Sequence, residues 1–410
     1  MKKSCIFTNV KLVLPEKIVP GCVLVENGII AAVEESGSLS SAFPQSWSGK
    51  NNPEEKPEVI DGGGNYLSPG FIDIHNHGRL GCDTMDRKAS SMETIARNQA
   101  EHGVTGFLAG TSSIPWDNYL DVLGFLAEYY KAETERFGRD ISGGAVIKGA
   151  QYLGIYSEGV FFSKEKRGAH NPKFLRTALT IDDLHTLFDK AGLALRVIAL
   201  SPELRGADEW IRFITGKGIV AAAAHSNADY GQALAGINLG ITLATHTFNG
   251  MRSLSHQDPG ILGAVLDDSR VYCELIADGI HLSPIILSIV YKVKGPEKII
   301  LVSDSVAAGG IPDGRYEHEG LIVVVKEGII RLEDGRLAGS SLSLDNAVKN
   351  TVKLGKVPLC HAVLAASLNP AKILGLDGQK GSIAPGKDAD LIIFNENIDI
   401  LRVFIRGHHF

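Results

Sequence analysis

Seven residues carry most of the chemistry this sequence offers: His75 and His77 in an HxH pair, Glu158, His225, His246, His281 and Asp304. Each follows an apolar run. In an extended strand, residues i and i+2 face the same side, so His75 and His77 point together. Imidazole nitrogens combined with carboxylates suit zinc, iron or a similar divalent ion. A buried lone carboxylate such as Glu158 is costly unless it is paired or bound to metal. Taken singly, each has a plainer reading. A histidine at a strand end serves equally as a structural hydrogen-bonding group, and Asp304, between Ser303 and Ser305, equally as a helix cap. The joint pattern is harder to reach by accident, because all seven stand at the same end of successive apolar runs.

Those runs alternate with helical segments. FIDIHNH, TGFLAGT, YLGIYSEG, LRVIALSPE, IVAAAAHS, ITLATHTFN, VYCELIADGIH and KIILVSDS read as eight strands, with helices such as SMETIARNQAEHG, ADEWIRFITGKG and SPIILSIVYKVKG between them. Repeated strand-then-helix order predicts a parallel sheet, and eight units predict a (β/α)8 barrel, whose strands end together on one face. The barrel is expected over residues 66–372. Residues 1–65 and 373–410 have β character and are expected to build one small β-sandwich domain from both ends of the chain, with a hairpin at Asn27-Gly28 and an exposed loop over 36–57. A doubly wound sheet would need a GxGxxG in a strand-to-helix turn. The glycine run Gly62-Gly63-Gly64 instead precedes a strand.

Composition removes other classes. The 410 residues are 21% charged and 44% hydrophobic, as in a globular protein rather than a disordered chain. Net charge is −6, against a nucleic-acid partner. The five cysteines are scattered without a CxxC, which predicts neither a disulfide framework nor a thiolate metal site and suits a reducing cytoplasm. No apolar run reaches about 18 residues, so no membrane span is expected. The start, MKKSCIFTNVKLVLPEK, is too interrupted by polar residues for a signal peptide. The 46 glycines exceed the average of about 7% and predict many tight turns.

The residues around the seven resemble the N-acetylglucosamine-6-phosphate deacetylase family of the amidohydrolase superfamily. The resemblance rests on PGFIDIHNHG (69–78), SEGVFFSKEKRGAHNP (157–172), LSPEL (200–204), AHSNADY (224–230), THTFNGM (245–251), DPGILGAVLDD (258–268), ELIADGIH (274–281), LVSDSVAAGG (301–310) and LAGSSLSLDNAV (337–348). GSIAPGKDADLIIFN (381–395) is a superfamily signature supporting the composite β domain. The resemblance implies Glu158, His225 and His246 as principal metal ligands and His75 and His77 as holders of a second metal. Asp304 becomes the catalytic acid/base beside the metal, and His281 a contact to the reacting group. The implied cofactor is zinc, with iron, manganese or cobalt as alternatives, one or two ions per subunit. Substrate contacts fall on Ala169, His170, Asn249, Gly250, Asp278, His281, Leu337, Ala338 and Gly339, and the assembly implied is a homodimer.

Two positions depart from the family pattern. Val160 stands where proline usually follows Glu-Gly. Gln257 stands where an arginine usually contacts the sugar phosphate, and glutamine cannot clamp a phosphate bidentately. Arg252 lies close enough in sequence to substitute. The substrate the resemblance implies is N-acetylglucosamine-6-phosphate, with the galactosamine isomer or an unphosphorylated N-acetyl amino sugar left open. A deaminase of the same superfamily and a barrel that binds sugar without turnover are the competing readings.

Overall fold

The computed structural model describes residues 4–35, 57–138, 147–318 and 321–410. The loop expected over 36–57 lies outside them apart from Pro57. All eight expected barrel strands form. They pair in chain order as one parallel sheet: Phe71–Asn76, Val104–Gly110, Gln151–Ser157, Leu195–Leu200, Val220–Ala223, Ile241–Ala244, Tyr272–Leu275 and Ile299–Leu301. Just beyond the eighth strand, Ser305 forms a parallel bridge to Asn76. There the Asp304 N–H donates to the His75 carbonyl (2.9 Å) and the His77 N–H to the Ser305 carbonyl (2.8 Å), which closes the barrel.

These segments become strands because both faces must be dry. A parallel barrel sheet is packed inside by its own side chains and outside by helices, so its strands are apolar nearly throughout. Val220–Ala223 is buried at every position. The covering helices are amphipathic. Ala207–Gly216 buries Trp210, Ile211 and Ile214, and Tyr230–Leu239 starts with a capping box between Asp229 and Gln232. Helices Ile181–Ala191 and Gly260–Asp267 complete the alternation after the third and sixth strands, and a three-stranded antiparallel sheet outside it, Gly314–His318, Leu321–Lys326 and Ile329–Leu332, follows the eighth strand.

Strands from both ends of the chain meet in a second sheet. Ser4–Val13 pairs with Ile18–Glu26, Glu58–Asp61 and Tyr66–Pro69, and Tyr66–Pro69 pairs with Leu391–Phe394 from the C-terminal hairpin. The expected turn at Asn27-Gly28 joins Ile18–Glu26 to Ile29–Glu34. Phe7 meets Phe404 edge to face at 4.8 Å, tying the two ends together. A buried cation braces this region. Lys380 Nζ donates to Asp388 Oδ2 (2.8 Å) and Asp390 Oδ2 (2.6 Å), and Asp390 Oδ1 accepts the Arg406 N–H (2.8 Å). Burial pulls the Lys380 ammonium down, and the two aspartates outweigh it, holding it above its usual range.

Lys380→Met leaves two carboxylates facing each other without their cation. The expected loss is about 3–5 kcal/mol, the cost of breaking a buried pair from one side. Urea unfolding followed by circular dichroism reads it, and a loss below about 1 kcal/mol would remove the triad from the framework.

Candidate metal centre

The ligand positions are made where the strand ladder stops. Hydrogen bonding continues through Ala224 N–H to the Leu200 carbonyl (3.0 Å) and Thr245 N–H to the Ala223 carbonyl (3.0 Å). The next residue in each case, His225 and His246, takes positive φ (44° and 27°), as does Asp304 (47°) beyond the eighth strand. Non-glycine residues in this region are costly and cluster at functional sites. Here the turn swings each side chain over the barrel mouth.

Glu158, just past the third strand, lies at the centre. Its Oε1 is 3.2 Å from His225 Nε2 and 3.0 Å from His246 Nε2, and its Oε2 is 3.0 Å from His77 Nε2 and 3.3 Å from His75 Nε2. The two oxygens therefore face two groups. On one side the Nε2 atoms of His225 and His246 are 3.1 Å apart, with His170 Nε2 at 3.9 Å from Oε1. On the other the Nε2 atoms of His75 and His77 are 3.1 Å apart, with Asp304 Oδ1 at 3.6 Å and 3.3 Å from them.

The chemistry of the donor set fits a divalent ion. His225 Nδ1 meets the Lys166 carbonyl (2.9 Å) and His246 Nδ1 the Asn249 carbonyl (3.1 Å). A carbonyl only accepts, so each Nδ1 carries the proton and each Nε2 turns a lone pair to the centre. Two imidazole lone pairs and a carboxylate oxygen converging on one point are a cation site. His75, His77 and Asp304 form a second group of potential ligands. The potential differs between the two groups. Burial pulls His225 down to about 4, leaving it neutral as a ligand must be. Burial opposes charge on His77 as well, but bonds to Asp304 and Glu158 outweigh it and raise that ring to about 10. Burial pushes Asp304 up, and His75 and His77 overcome this to hold it at about 2.

The centre opens into a cleft of about 320 Å³. Of the expected substrate contacts, Ala169, His170, Asn249, Gly250, His281, Leu337, Ala338 and Gly339 line it. Asp278 stands behind His281, accepting from its Nδ1 (2.6 Å), and lines an adjoining cleft. Arg252 and Gln257 do not line the cleft: Arg252 is held by Asp258 (Nε 2.9 Å, Nη2 2.5 Å), and Gln257 is exposed. Sequence reasoning missed Glu274, Arg336 and the apolar wall of Val306, Leu321, Val323 and Leu332. Arg336 lines both the cleft and a neighbouring recess of about 390 Å³ that also holds Lys166 and Arg167. A carboxylate inside the run VYCELIADG was the available signal for Glu274. The loops reach the metal side closely because Gly168 and Gly250, both at positive φ, lie against His225. A Cβ on either would come within 2.8 Å and 2.5 Å of that ring.

A closed barrel with histidines and carboxylates gathered over the C-terminal ends of its strands defines a metal-dependent hydrolase of the barrel type. Residues 145–409 match the model of the amidohydrolase family. The N-acetylgalactosamine-6-phosphate deacetylase of Escherichia coli O157:H7 is 37% identical over 83% of this chain and 86% of its own length. The N-acetylglucosamine-6-phosphate deacetylase of Vibrio furnissii is 34% identical over 92% and 90%. The structure of the D267A mutant of the Mycobacterium smegmatis N-acetyl-D-glucosamine-6-phosphate deacetylase, in complex with N-acetyl-D-glucosamine-6-phosphate, superposes with a TM-score of 0.86 at 26% identity over 99% of both chains. The chain belongs to the amidohydrolase family, in the branch that holds these deacetylases.

Because Glu158 faces both groups, Glu158→Ala is expected to strip bound metal from the whole centre, whereas His281→Asn keeps it. Plasma emission analysis of the purified variants checks this, and a wild-type metal content in Glu158→Ala would contradict the arrangement.

Proposed function

We propose that this chain hydrolyses the acetamido group of N-acetylglucosamine-6-phosphate, releasing acetate and glucosamine-6-phosphate, in amino-sugar catabolism. The observation that carries the reading is the position of Asp304. It sits at the barrel mouth within 3.6 Å of both histidines of one ligand group, and it lines the cleft together with His281. A carboxylate held ionised there is a proton acceptor aimed at the place where water would meet an amide.

The metal centre is assigned to Glu158, His225 and His246, with His75, His77 and Asp304 able to take a second ion; zinc is the proposed metal. Held by this donor set, a divalent ion would lower the pKa of water from 15.7 to about 7 and would polarise an amide carbonyl. Asp304 accepts the proton of the attacking water and passes it to the leaving nitrogen, so the amine departs neutral. His281, oriented by Asp278 through Nδ1, donates from Nε2 in its doubly protonated imidazolium form to the oxygen on which negative charge develops. The walls of Val306, Leu321, Val323 and Leu332 exclude bulk water around the acyl group.

The 6-phosphate is assigned to the recess of Lys166, Arg167 and Arg336, which shares Gly168 and Gly250 with the cleft. The recess sets those three basic residues against the carboxylates of Glu165 and Asp334, with Asp334 bonded to Arg336 (Nε 2.9 Å, Nη2 2.6 Å), and it does not need Arg252, which is bonded to Asp258. The galactosamine isomer is a second reading, supported by the 37% identity to the deacetylase that acts on it. A homodimer and a cytoplasmic location complete the proposal; among the described residues no helix is long and apolar enough to cross a membrane.

Purified protein supplied with zinc should release acetate from N-acetylglucosamine-6-phosphate, faster than from unphosphorylated N-acetylglucosamine, with the galactosamine isomer run alongside. A chelator should abolish the release. No acetate from any of the three sugars would sink the reading. Asp304→Asn is expected to lower kcat by about 10²–10⁴-fold while metal remains bound, and near-normal turnover would refute its assigned role.

A further inference from the structure

Glu274 lies in the seventh strand with none of its side chain exposed, although its neighbours in Tyr272–Leu275 are apolar or aromatic apart from it. Its Oε2 accepts from His75 Nδ1 at 2.9 Å and from the backbone N–H of His246 at 3.1 Å. His75 belongs to one half of the centre and His246 to the other. Its main chain is also engaged, because the Thr247 N–H donates to the Glu274 carbonyl (2.8 Å).

Both contacts act on ligand geometry. A carboxylate on Nδ1 keeps the proton there and turns the His75 Nε2 lone pair towards Glu158 and Asp304. Tyr156 stacks on the same ring at 4.4 Å, so the ring is fixed by its edge and its face. The contact to His246 captures the first N–H beyond the strand ladder, at the residue whose backbone takes φ 27°. An uncaptured buried N–H there would be costly, so the same oxygen stabilises the turn that aims His246 inward.

We propose that Glu274 is a positioning residue that couples the two halves of the metal centre, fixing the His75 ring and the His246 backbone through one oxygen. It does not line the cleft. Its charge and its acceptor geometry both contribute, and two substitutions separate them. The inference rests on the metal-centre reading above.

Wild-type protein, Glu274→Gln and Glu274→Leu would each be stripped with chelator, checked for folding by circular dichroism, and titrated with zinc against a chromogenic chelator. Glutamine keeps an acceptor without the charge, and its zinc affinity is expected to fall about 10-fold; leucine keeps neither, and about 100-fold is expected, the range that loss of a ligand's hydrogen-bond partner typically costs. The zinc content of Glu274→Leu after gel filtration should fall below that of wild type. Wild-type affinity and content in both variants would overturn the coupling. Wild type that binds no zinc would instead overturn the metal-centre reading itself, so the two failures are told apart. If the leucine variant does not fold, the glutamine titration alone decides, with unchanged affinity counting against the proposal.

Discussion

Glu158 holds its charge with only 4% of its side chain exposed, and removing an ion from water costs several kcal/mol even after the protein relaxes. Burial therefore pushes this carboxyl up, yet His75 first, and then His170, His225 and His246 packed around it, hold it well below the usual carboxylate range. The ionised state is tolerable only because histidines from four other places in the chain surround it. Each of those histidines must in turn be aimed with an accuracy of tenths of an ångström. The barrel, the left-handed turns at its strand ends and the glycines pressed on His225 all serve that demand.

The barrel seam meets it by a second buried carboxylate. Asp73, in the first strand, accepts from Ser303 Oγ (2.6 Å), the Ser303 N–H (3.2 Å) and Gln99 Nε2 (2.9 Å). It thereby bonds the first strand to the residue beside Asp304 and to the first covering helix. Burial raises its pKa, and those donors offset part of the rise. Because the strand that carries His75 and His77 is bonded here to the segment that carries Asp304, three ligands separated by more than 220 residues share one local frame. Closing the sheet and assembling the second half of the centre are the same event.

Much of this was legible in the sequence, for a physical reason. Barrel strands are dry on both faces, so they read as short apolar runs, and residues that leave the barrel at its mouth read as ionisable groups at the end of each run. His75, His77, Glu158, His225, His246 and Asp304 are all of that kind. What was not legible falls in three groups. Glu274 is polar inside a strand, and only its partners, 199 and 28 residues away, explain it. The sheet over 314–332 has alternation in LIVVVKEGIIRL, but nothing in that pattern says that it folds back over the mouth. Arg252 looked free to meet an anion, while a contact to Asp258 six residues on, in a loop without periodicity, fixes it elsewhere.

The sheet over 314–332 also connects catalysis to substrate enclosure. The chain leaves the barrel at Asp304 and returns at Ser340, where the Ser340 N–H donates to the Asp304 carbonyl (2.8 Å) and Ser340 Oγ to the Ser303 carbonyl (2.5 Å). Between those points run Val306, Leu321, Val323, Leu332 and Arg336, all of which line the cleft. The base of the excursion is tight: a Cβ on Gly339 would come within 2.3 Å of Val306. Clamping both ends removes the loop-closure entropy that a long insertion otherwise leaves free, and it does so at the residue assigned to proton transfer. The wall that dries the acyl side of the cleft and the carboxylate that moves the proton are thus one covalent and hydrogen-bonded unit. Sequence changes in the wall alter enclosure at its tip, whereas changes at its base act directly on the aim of Asp304.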